Sequence, residues 1–118
     1  IRDLNAIITI IAAGYEVNVR INGTDIGIEG GKSESLKLFG KASPSLPVLP
    51  EDMKRQICLE EGENSMMVTF KRVSKDADQK LTVELATREQ FVNGANLISK
   101  EEKTDLDEEK TVTDTFTL

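Results

Sequence analysis

The amino-acid sequence predicts an all-β fold, an antiparallel sandwich of two sheets with seven or eight short strands. Apolar and polar residues alternate with a period of two in several segments, and turn residues separate those segments. No stretch keeps the 3.6-residue period of a helix, which favours a sandwich of jelly-roll-like or immunoglobulin-like topology. A chain of 118 residues buries one sizeable core, so we expect residues 1–118 to form a single domain.

The first strands and the turn between them carry the clearest local pattern. Residues 6–13 are dense in β-branched side chains and predict a strand buried on both faces, with a short helix as the alternative. Residues 15–21 alternate strictly, and Asn22-Gly23 then supplies the two positive φ angles of a type I′ turn. The two-residue loop fixes the register of a hairpin over 15–29, with the facing pairs Ile21–Thr24, Val19–Ile26, Val17–Ile28 and, at its end, Tyr15–Gly30.

Two weaker strands flank a proline-rich connection in the middle of the chain. Residues 33–39 alternate through two leucines and are predicted to form a strand. Residues 40–50 contain all three prolines, and we interpret them as an extended connection that crosses from one sheet to the other. One helical turn over 51–54 and a strand over 56–59 are expected to follow.

The C-terminal half predicts a second hairpin and a closing strand. Residues 66–73 and 81–86 both alternate, and the polar loop over 75–79 between them is typical of a hairpin. Residues 88–98 fit neither period, and residues 100–110 form a charged stretch that we expect to be exposed. The segment 111–118 places threonines on one face and apolar residues on the other, where Asp114 is the one polar misfit.

Composition excludes several classes of function. There are 15 basic and 21 acidic residues, a net charge of −6, so neither nucleic acid nor an anionic membrane is an expected partner. The absence of His excludes serine and cysteine triads and imidazole metal sites, and the single Cys excludes a zinc cluster. No apolar run approaches the ~20 residues of a membrane span, so no transmembrane segment is predicted in this chain. The first residue is Ile, and we expect a mature or truncated product of an extracytoplasmic or cell-surface protein.

Three acidic residues form the metal site that the sequence predicts best. Asp105, Asp107 and Glu109 stand at alternate positions, as oxygen ligands do at the start of calcium loops. No glycine follows at the sharp-turn position, and Phe116 occupies the place of the closing glutamate. Calcium is therefore the candidate cofactor only in a site unlike the EF-hand, and a solvated loop is the competing interpretation.

Two further motifs have both a functional and a structural interpretation. Asn22-Gly23-Thr24 matches the acceptor sequence for N-glycosylation, yet the predicted turn explains the same residues. Cys58 stands between Ile57 and Leu59, which predicts a buried apolar thiol rather than a redox centre.

Two segments resemble galactose-binding-like β-sandwich domains. The sequence VNVRINGTDIG over 17–27 is similar to the V-x-V-x-I-N-G-x-x-I-G hairpin of that family. The sequence LEEGENSMMV over 59–68 resembles its L-x-x-G-x-N-x-x-x-V segment, and together the two cover about a quarter of the chain. The resemblance implies a β-sandwich in a family that often binds sugars, but the segments carry over none of its site residues.

These patterns predict a protein that binds rather than catalyses. No nucleophile is paired with a base in the sequence, so we expect no enzyme activity. The predicted function is a non-catalytic binding or assembly module that mediates protein–protein contacts. If the strand over 111–118 lies at a sheet edge, it could bind a protein partner by strand addition or pair with a second copy. A small-ligand-binding domain, for a carbohydrate or calcium, is the alternative.

Overall fold

The computed structural model of the protein describes residues 3–44, 46–76 and 79–118, which are mostly β-structure. The strands are β1 (Asn5–Ile11), β2 (Tyr15–Ile21), β3 (Thr24–Asp25), β4 (Ser33–Gly40), β5 (Ile57–Leu59), β6 (Glu63–Arg72), β7 (Leu81–Thr87), β8 (Ile98–Glu102) and β9 (Glu109–Thr117). A 3-10 helix (Glu51–Gln56) precedes β5, and a short α-helix, α1 (Arg88–Val92), follows β7. Nine strands are therefore described rather than seven or eight, and β8 is the one that the sequence did not reveal.

The strands form two sheets. The five-stranded sheet has the order β5-β4-β1-β7-β8, and the four-stranded sheet has the order β3-β2-β6-β9. The neighbours described are antiparallel except for β4 and β5, which run parallel. The predicted β-rich, two-sheet class is thus confirmed, and the sheets are mostly rather than wholly antiparallel.

One hydrophobic cluster draws its members from both sheets. Alternate residues supply it, among them Ile8 and Ile10 of β1, Val68 and Phe70 of β6, and Leu85 of β7. Each such fully buried side chain contributes about 1.5–3 kcal/mol, so this shared cluster rather than surface ion pairs stabilises the fold.

Strand β1 lies at the centre of its sheet, but only one of its faces is fully buried. Ile8 and Ile10 are 0 % exposed, whereas Ile11 on the other face is 47 % exposed. The prediction of a strand buried on both faces is therefore wrong, because the outer face of the sheet remains open to solvent near Ile11.

The first hairpin follows the predicted turn and then departs from the predicted register. Asn22 and Gly23 have φ angles of 50° and 82°, and Ile21 faces Thr24 as expected. Gly27 has a φ of 84° and donates its N–H to the Asp25 carboxylate at 2.9 Å, a bond that also lowers the pKa of that carboxyl. This local turn ends β3.

The turn at Gly27 also inserts one residue into the second arm of the hairpin. Ile26 still donates its N–H to the Val19 carbonyl at 3.1 Å. Further along, however, Gly30 bridges Glu16 and not Tyr15, so the predicted Tyr15–Gly30 pair is wrong. A glycine at positive φ in one strand of a pair is a common origin of such a bulge.

Two predicted connections between strands are also wrong. The proline-rich segment does not cross between sheets, since β4 and β5 lie side by side in one sheet. The alternating segments 66–73 and 81–86 form no hairpin, because β6 and β7 belong to different sheets. The loop between them crosses the fold, and two of its residues, Ala77 and Asp78, lie outside the described residues.

The ambiguous region after β7 contains the helix α1. Thr87 accepts a hydrogen bond from the Gln90 main chain at 3.1 Å, and the Gln90 side chain accepts one from the Thr87 main chain at 3.0 Å. This capping box begins a helix that ends at Asn93-Gly94, where Gly94 has a φ of 72°. In the part of the chain that is described, no helix has the length and apolar character needed to cross a membrane.

Candidate binding surface

Strand β9 lies at the edge of the four-stranded sheet, as the predicted mode of partner binding requires. It pairs with β6 over nine residue pairs, from Glu63–Thr117 to Lys71–Glu109. Its other side has no partner strand among the described residues. An edge strand of this length exposes a row of main-chain donors and acceptors.

Hydrogen bonds elsewhere in the sheet show which residues of β9 face outward. The Asn22 N–H donates to the Ser65 carbonyl at 2.9 Å, which places the main-chain groups of Ser65 on the β2 side of β6. Because these groups alternate in direction along a strand, Asn64 and Met66 bond towards β9. The register pairs Asn64 with Phe116 and Met66 with Asp114, so the even-numbered residues of β9 direct their main-chain N–H and C=O groups towards β6.

Hydrogen bonds at the end of β9 independently show the same alternation in the direction of its main-chain groups. Gly62 and Leu118 exchange two main-chain hydrogen bonds, of 3.0 and 2.9 Å. The odd-numbered residues therefore direct their N–H and C=O groups away from β6. Four of them are threonines, and we call them the threonine edge: Thr111, Thr113, Thr115 and Thr117.

The side chains of the threonine edge lie on the exposed outer face of the sheet. Thr111 and Thr69 share a hydroxyl–hydroxyl hydrogen bond of 3.0 Å across β9 and β6. On the opposite side of β9, Phe116 is buried and Val112 is half-buried against the core. The strand is thus extended and anchored from within, while its outer edge is open.

Asp114, the polar misfit on the inner side of β9, is explained by a partner on β8. Its carboxylate lies 2.7 Å from the Lys100 amine, and the two side chains are 22 % and 33 % exposed. A second ion pair of 3.3 Å joins Glu102 of β8 to Lys110 of β9. These β8–β9 ion pairs link the edge strands of the two sheets, and their four charges sum to zero.

The three residues of the predicted calcium site lie on an exposed turn before and at the start of β9. Glu108 donates its N–H to the Asp105 carbonyl at 3.0 Å, and Asp107 has a φ of 63°. Among residues 3–44, 46–76 and 79–118, no three carboxylate or Cys side chains are grouped closely enough to hold a metal. Calcium binding by Asp105, Asp107 and Glu109 therefore stays a prediction without a preassembled ligand set.

The glycosylation motif overlaps a structural hydrogen-bond network. The Asn22 side chain donates to the Cys58 carbonyl at 2.9 Å and to the Asn64 side chain at 2.8 Å, and it accepts from the Ser65 N–H at 2.9 Å. A glycan on this nitrogen would replace one of its two N–H groups and so remove at least one of the two donated bonds. The network therefore favours the structural interpretation of the motif.

Cys58 lies against the core and has the environment of an apolar residue. Its side chain is buried, and burial raises the pKa of the thiol to about 12. The thiolate, which is the reactive form, is therefore scarce at neutral pH. This agrees with the interpretation of Cys58 as a packing residue.

An open cavity of about 710 Å³ lies at one end of the fold, beside α1 and the last residue of the chain. It is lined by residues before and at the start of β1, by the end of β7 with α1 and the residue after it, and by the last residue: Asp3, Leu4, Asn5, Thr87, Arg88, Glu89, Val92, Asn93 and Leu118. Within the described residues, no side-chain hydrogen bond or ion pair engages Arg88 or Glu89. No pattern in the sequence predicts this site, because its residues come from segments far apart in the chain.

The two segments that resemble galactose-binding-like domains meet in the structure. They pair as neighbouring strands, β2 with β6, and the 2.8 Å hydrogen bond between the Asn22 and Asn64 side chains also joins the first turn to β6. The resemblance itself stays a prediction. In comparisons with family models, curated proteins and solved structures, nothing matches the chain.

Proposed function

We propose that the protein is a non-catalytic binding or assembly module, a two-sheet β-sandwich that takes up an extended strand of a protein partner along the threonine edge. The observation that carries the proposal is the alternating direction of the main-chain groups along β9. The N–H and C=O groups of its threonines point away from β6. A hydrophobic cluster shared by both sheets supports the sandwich arrangement. Strand addition uses this kind of edge, since main-chain bonds supply affinity and alternate side chains supply specificity.

The chemistry of the edge describes the partner strand that would suit it. Each main-chain hydrogen bond formed contributes about 0.5–1.5 kcal/mol net, so several together give useful affinity. On the outer face, threonines favour β-branched or hydroxyl residues opposite them. On the inner face, Val112 and Phe116 favour apolar residues, and Asp114 favours a basic residue.

Replacing Thr113 with proline tests the proposal. Proline removes an N–H that faces the free edge and adds a ring there, while the bonds between β9 and β6 remain. Nonapeptides selected by phage display on the wild-type protein are measured by fluorescence polarisation. The dissociation constant for Thr113→Pro is expected to rise at least about tenfold.

Thr113→Val is the matched control, because it changes the side chain and keeps the N–H. Its dissociation constant is expected to stay within about twofold of wild type. Thermal melts of all three proteins establish that they are folded. Equal binding by Thr113→Pro and wild type, or a library that yields no binder, would contradict the proposal.

A small polar ligand, such as a monosaccharide, is the second candidate function, and the end cavity favours it. Its volume of about 710 Å³ falls within the usual range for ligand sites. The unengaged Arg88 and Glu89 side chains supply a donor fork and an acceptor for sugar hydroxyls.

Replacing Arg88 with alanine tests the cavity. A panel of monosaccharides, with and without millimolar calcium, is screened by saturation-transfer NMR. For any sugar that binds there, Arg88→Ala is expected to raise the dissociation constant about tenfold, since it removes charge-assisted hydrogen bonds. Lys54→Ala, on the exposed 3-10 helix, is the control. A panel without binding, or binding unchanged by Arg88→Ala, removes the monosaccharide candidate.

A further inference from the structure

We infer that the strand taken up by β9 is β9 of a second copy of this chain, paired antiparallel in one register. This inference rests on the proposed use of the threonine edge and adds the identity of its occupant. A two-fold axis perpendicular to the sheet brings two β9 edges together and keeps the inner side of each strand on the inner side. The two four-stranded sheets then become one continuous sheet.

The alternating direction of the main-chain groups along β9 restricts the registers that this pairing can adopt. Only the odd-numbered residues offer free main-chain groups, so threonines must bond to odd-numbered residues of the other copy. The inner, even-numbered residues then face each other as close pairs without main-chain bonds between them. Their charges decide among the registers that remain.

Three of the four central registers place inner charges badly. Centring the axis on Asp114 sets the two Asp114 carboxylates opposite each other. Centring it on Thr111 sets Asp114 opposite Glu108, and centring it on Thr113 leaves Lys110 opposite Phe116. Like charges directly opposite each other destabilise a strand pair, and the Thr113 register, which also sets Asp114 opposite Val112, gives neither inner charge an opposite partner.

Centring the axis on Val112 places three of the four inner residues of β9 opposite a suitable partner, while Phe116 lies opposite Glu108, the residue just before the strand. Val112 then faces Val112 of the other copy, and Lys110 of each copy faces Asp114 of the other. On the outer edge, Thr111 faces Thr113. This register forms about eight main-chain hydrogen bonds between the copies, because each hydrogen-bonded pair exchanges two.

The β8–β9 ion pairs orient the charged side chains of Lys110 and Asp114 for the contact between copies. Lys100 lies 2.7 Å from Asp114, and Glu102 lies 3.3 Å from Lys110. These contacts position the side chains of Asp114 and Lys110 on the inner side of β9. Pairing two copies joins the two sets of ion pairs into one network with no net charge. The main-chain bonds supply the affinity and the charges select the register.

A charge-reversal pair tests the register by sedimentation equilibrium. Lys110→Glu places an acid opposite Asp114 of the other copy, and Asp114→Lys places a base opposite Lys110. Wild type is expected to form a dimer, and each variant alone is expected to dissociate with a constant at least about tenfold higher. An equimolar mixture is expected to dimerise more tightly than either variant alone, because both inner pairs between the copies are again opposite in charge, although each variant has lost its own ion pair with Glu102 or Lys100.

Recovery of the dimer shows that both variants are folded, and thermal melts of each variant establish folding where the mixture stays monomeric. Lys32→Glu, a charge reversal at an exposed side chain outside β9, is the control and is expected to dimerise like wild type. A mixture that remains monomeric, or a dimer that persists in Thr113→Pro, overturns the inference. If the wild type is monomeric but binds peptides, and Thr113→Pro weakens that binding, the inference is overturned and the proposed function stands. If Thr113→Pro leaves peptide binding unchanged, the proposed function is overturned.

Discussion

Replacing Asn64 with alanine is expected to lower the free energy of unfolding by about 3 kcal/mol. Asn64 is only 1 % exposed, and its side chain makes four hydrogen bonds. Its oxygen accepts from the Asn22 side chain and the Glu60 N–H, both at 2.8 Å. Its nitrogen donates to the carbonyls of Glu60 and Gly62, at 2.8 and 3.1 Å. Each lost bond costs about 1 kcal/mol, and partial access of water near the Glu60 turn reduces the sum.

The position of Asn64 explains why one side chain has so large an expected effect. It closes the turn before β6, and it also holds Asn22, which bonds to the Cys58 carbonyl of β5. The five-stranded and four-stranded sheets are therefore linked at this end through two amides. Loss of Asn64 affects the turn and the link between the sheets together, and buried networks of this kind couple their members.

Urea unfolding at constant m-value measures the change. Asn18→Ala is the matched control, because it makes the same chemical change at an amide with one described partner, Asp25 at 2.8 Å. The control is expected to lose no more than about 1 kcal/mol. If Asn64→Ala unfolded within 1 kcal/mol of wild type, the network would have little part in stability.

Local structure could be predicted from the sequence where local chemistry determines it. Asn22-Gly23 forms the expected turn because both residues adopt positive φ with little strain. The alternation over 111–118 correctly separated the exposed threonines from the inner apolar residues and identified Asp114 as the inner misfit. The candidate edge was therefore visible in the sequence before its place in the sheet was known.

The assignment of strands to sheets could not be predicted in the same way. Alternation in β6 and β7 shows which residues are buried, but a loop of several residues can join neighbours in one sheet or cross between two sheets. The parallel pairing of β4 and β5 is consistent with the length of the segment that joins them. Parallel strands need a connection of a dozen or more residues, which the segment between Gly40 and Ile57 provides.

Strand β8 was hidden because its inner positions are charged. Its sequence places Lys100 and Glu102 inward after Ile98, so it has no alternation of apolar residues. Their ion-pair partners, Asp114 and Lys110, lie on another strand of the other sheet. In the sequence, the inward position of Asp114 indicates a basic partner, but it does not show which basic residue that partner is.

Replacing Arg72 with methionine is expected to lower the free energy of unfolding by about 3–4 kcal/mol. Arg72 is 8 % exposed at the end of β6, and its guanidinium donates to three main-chain carbonyls. It bonds to Ser74 at 3.0 Å, to Thr104 at 3.1 Å and to Asp76. Hydrogen bonds from a charged group contribute about 1.5–3 kcal/mol each, and the desolvation of the cation offsets part of their sum.

These carbonyls belong to two different loops, so Arg72 joins the loop after β6 to the loop before β9. The second loop is also held by the Asp107 N–H, which donates to the Arg72 carbonyl at 2.8 Å. Methionine keeps much of the apolar stem but leaves the carbonyls unpaired, whereas Arg72→Lys keeps the charge and fewer donors. The lysine variant is expected to lose about half as much stability, measured by urea unfolding.

Hydrogen exchange distinguishes loss of this link from a general loss of packing. In Arg72→Met, amides over 103–108 and at the start of β9 are expected to exchange faster, because the loop before β9 loses its anchor. Amides of β1, at the centre of the other sheet, are expected to change only with global stability. Uniform acceleration across β1 and residues 103–108 would contradict the local role of Arg72. Selective acceleration would show that the position of the candidate binding edge depends on a residue of the neighbouring strand.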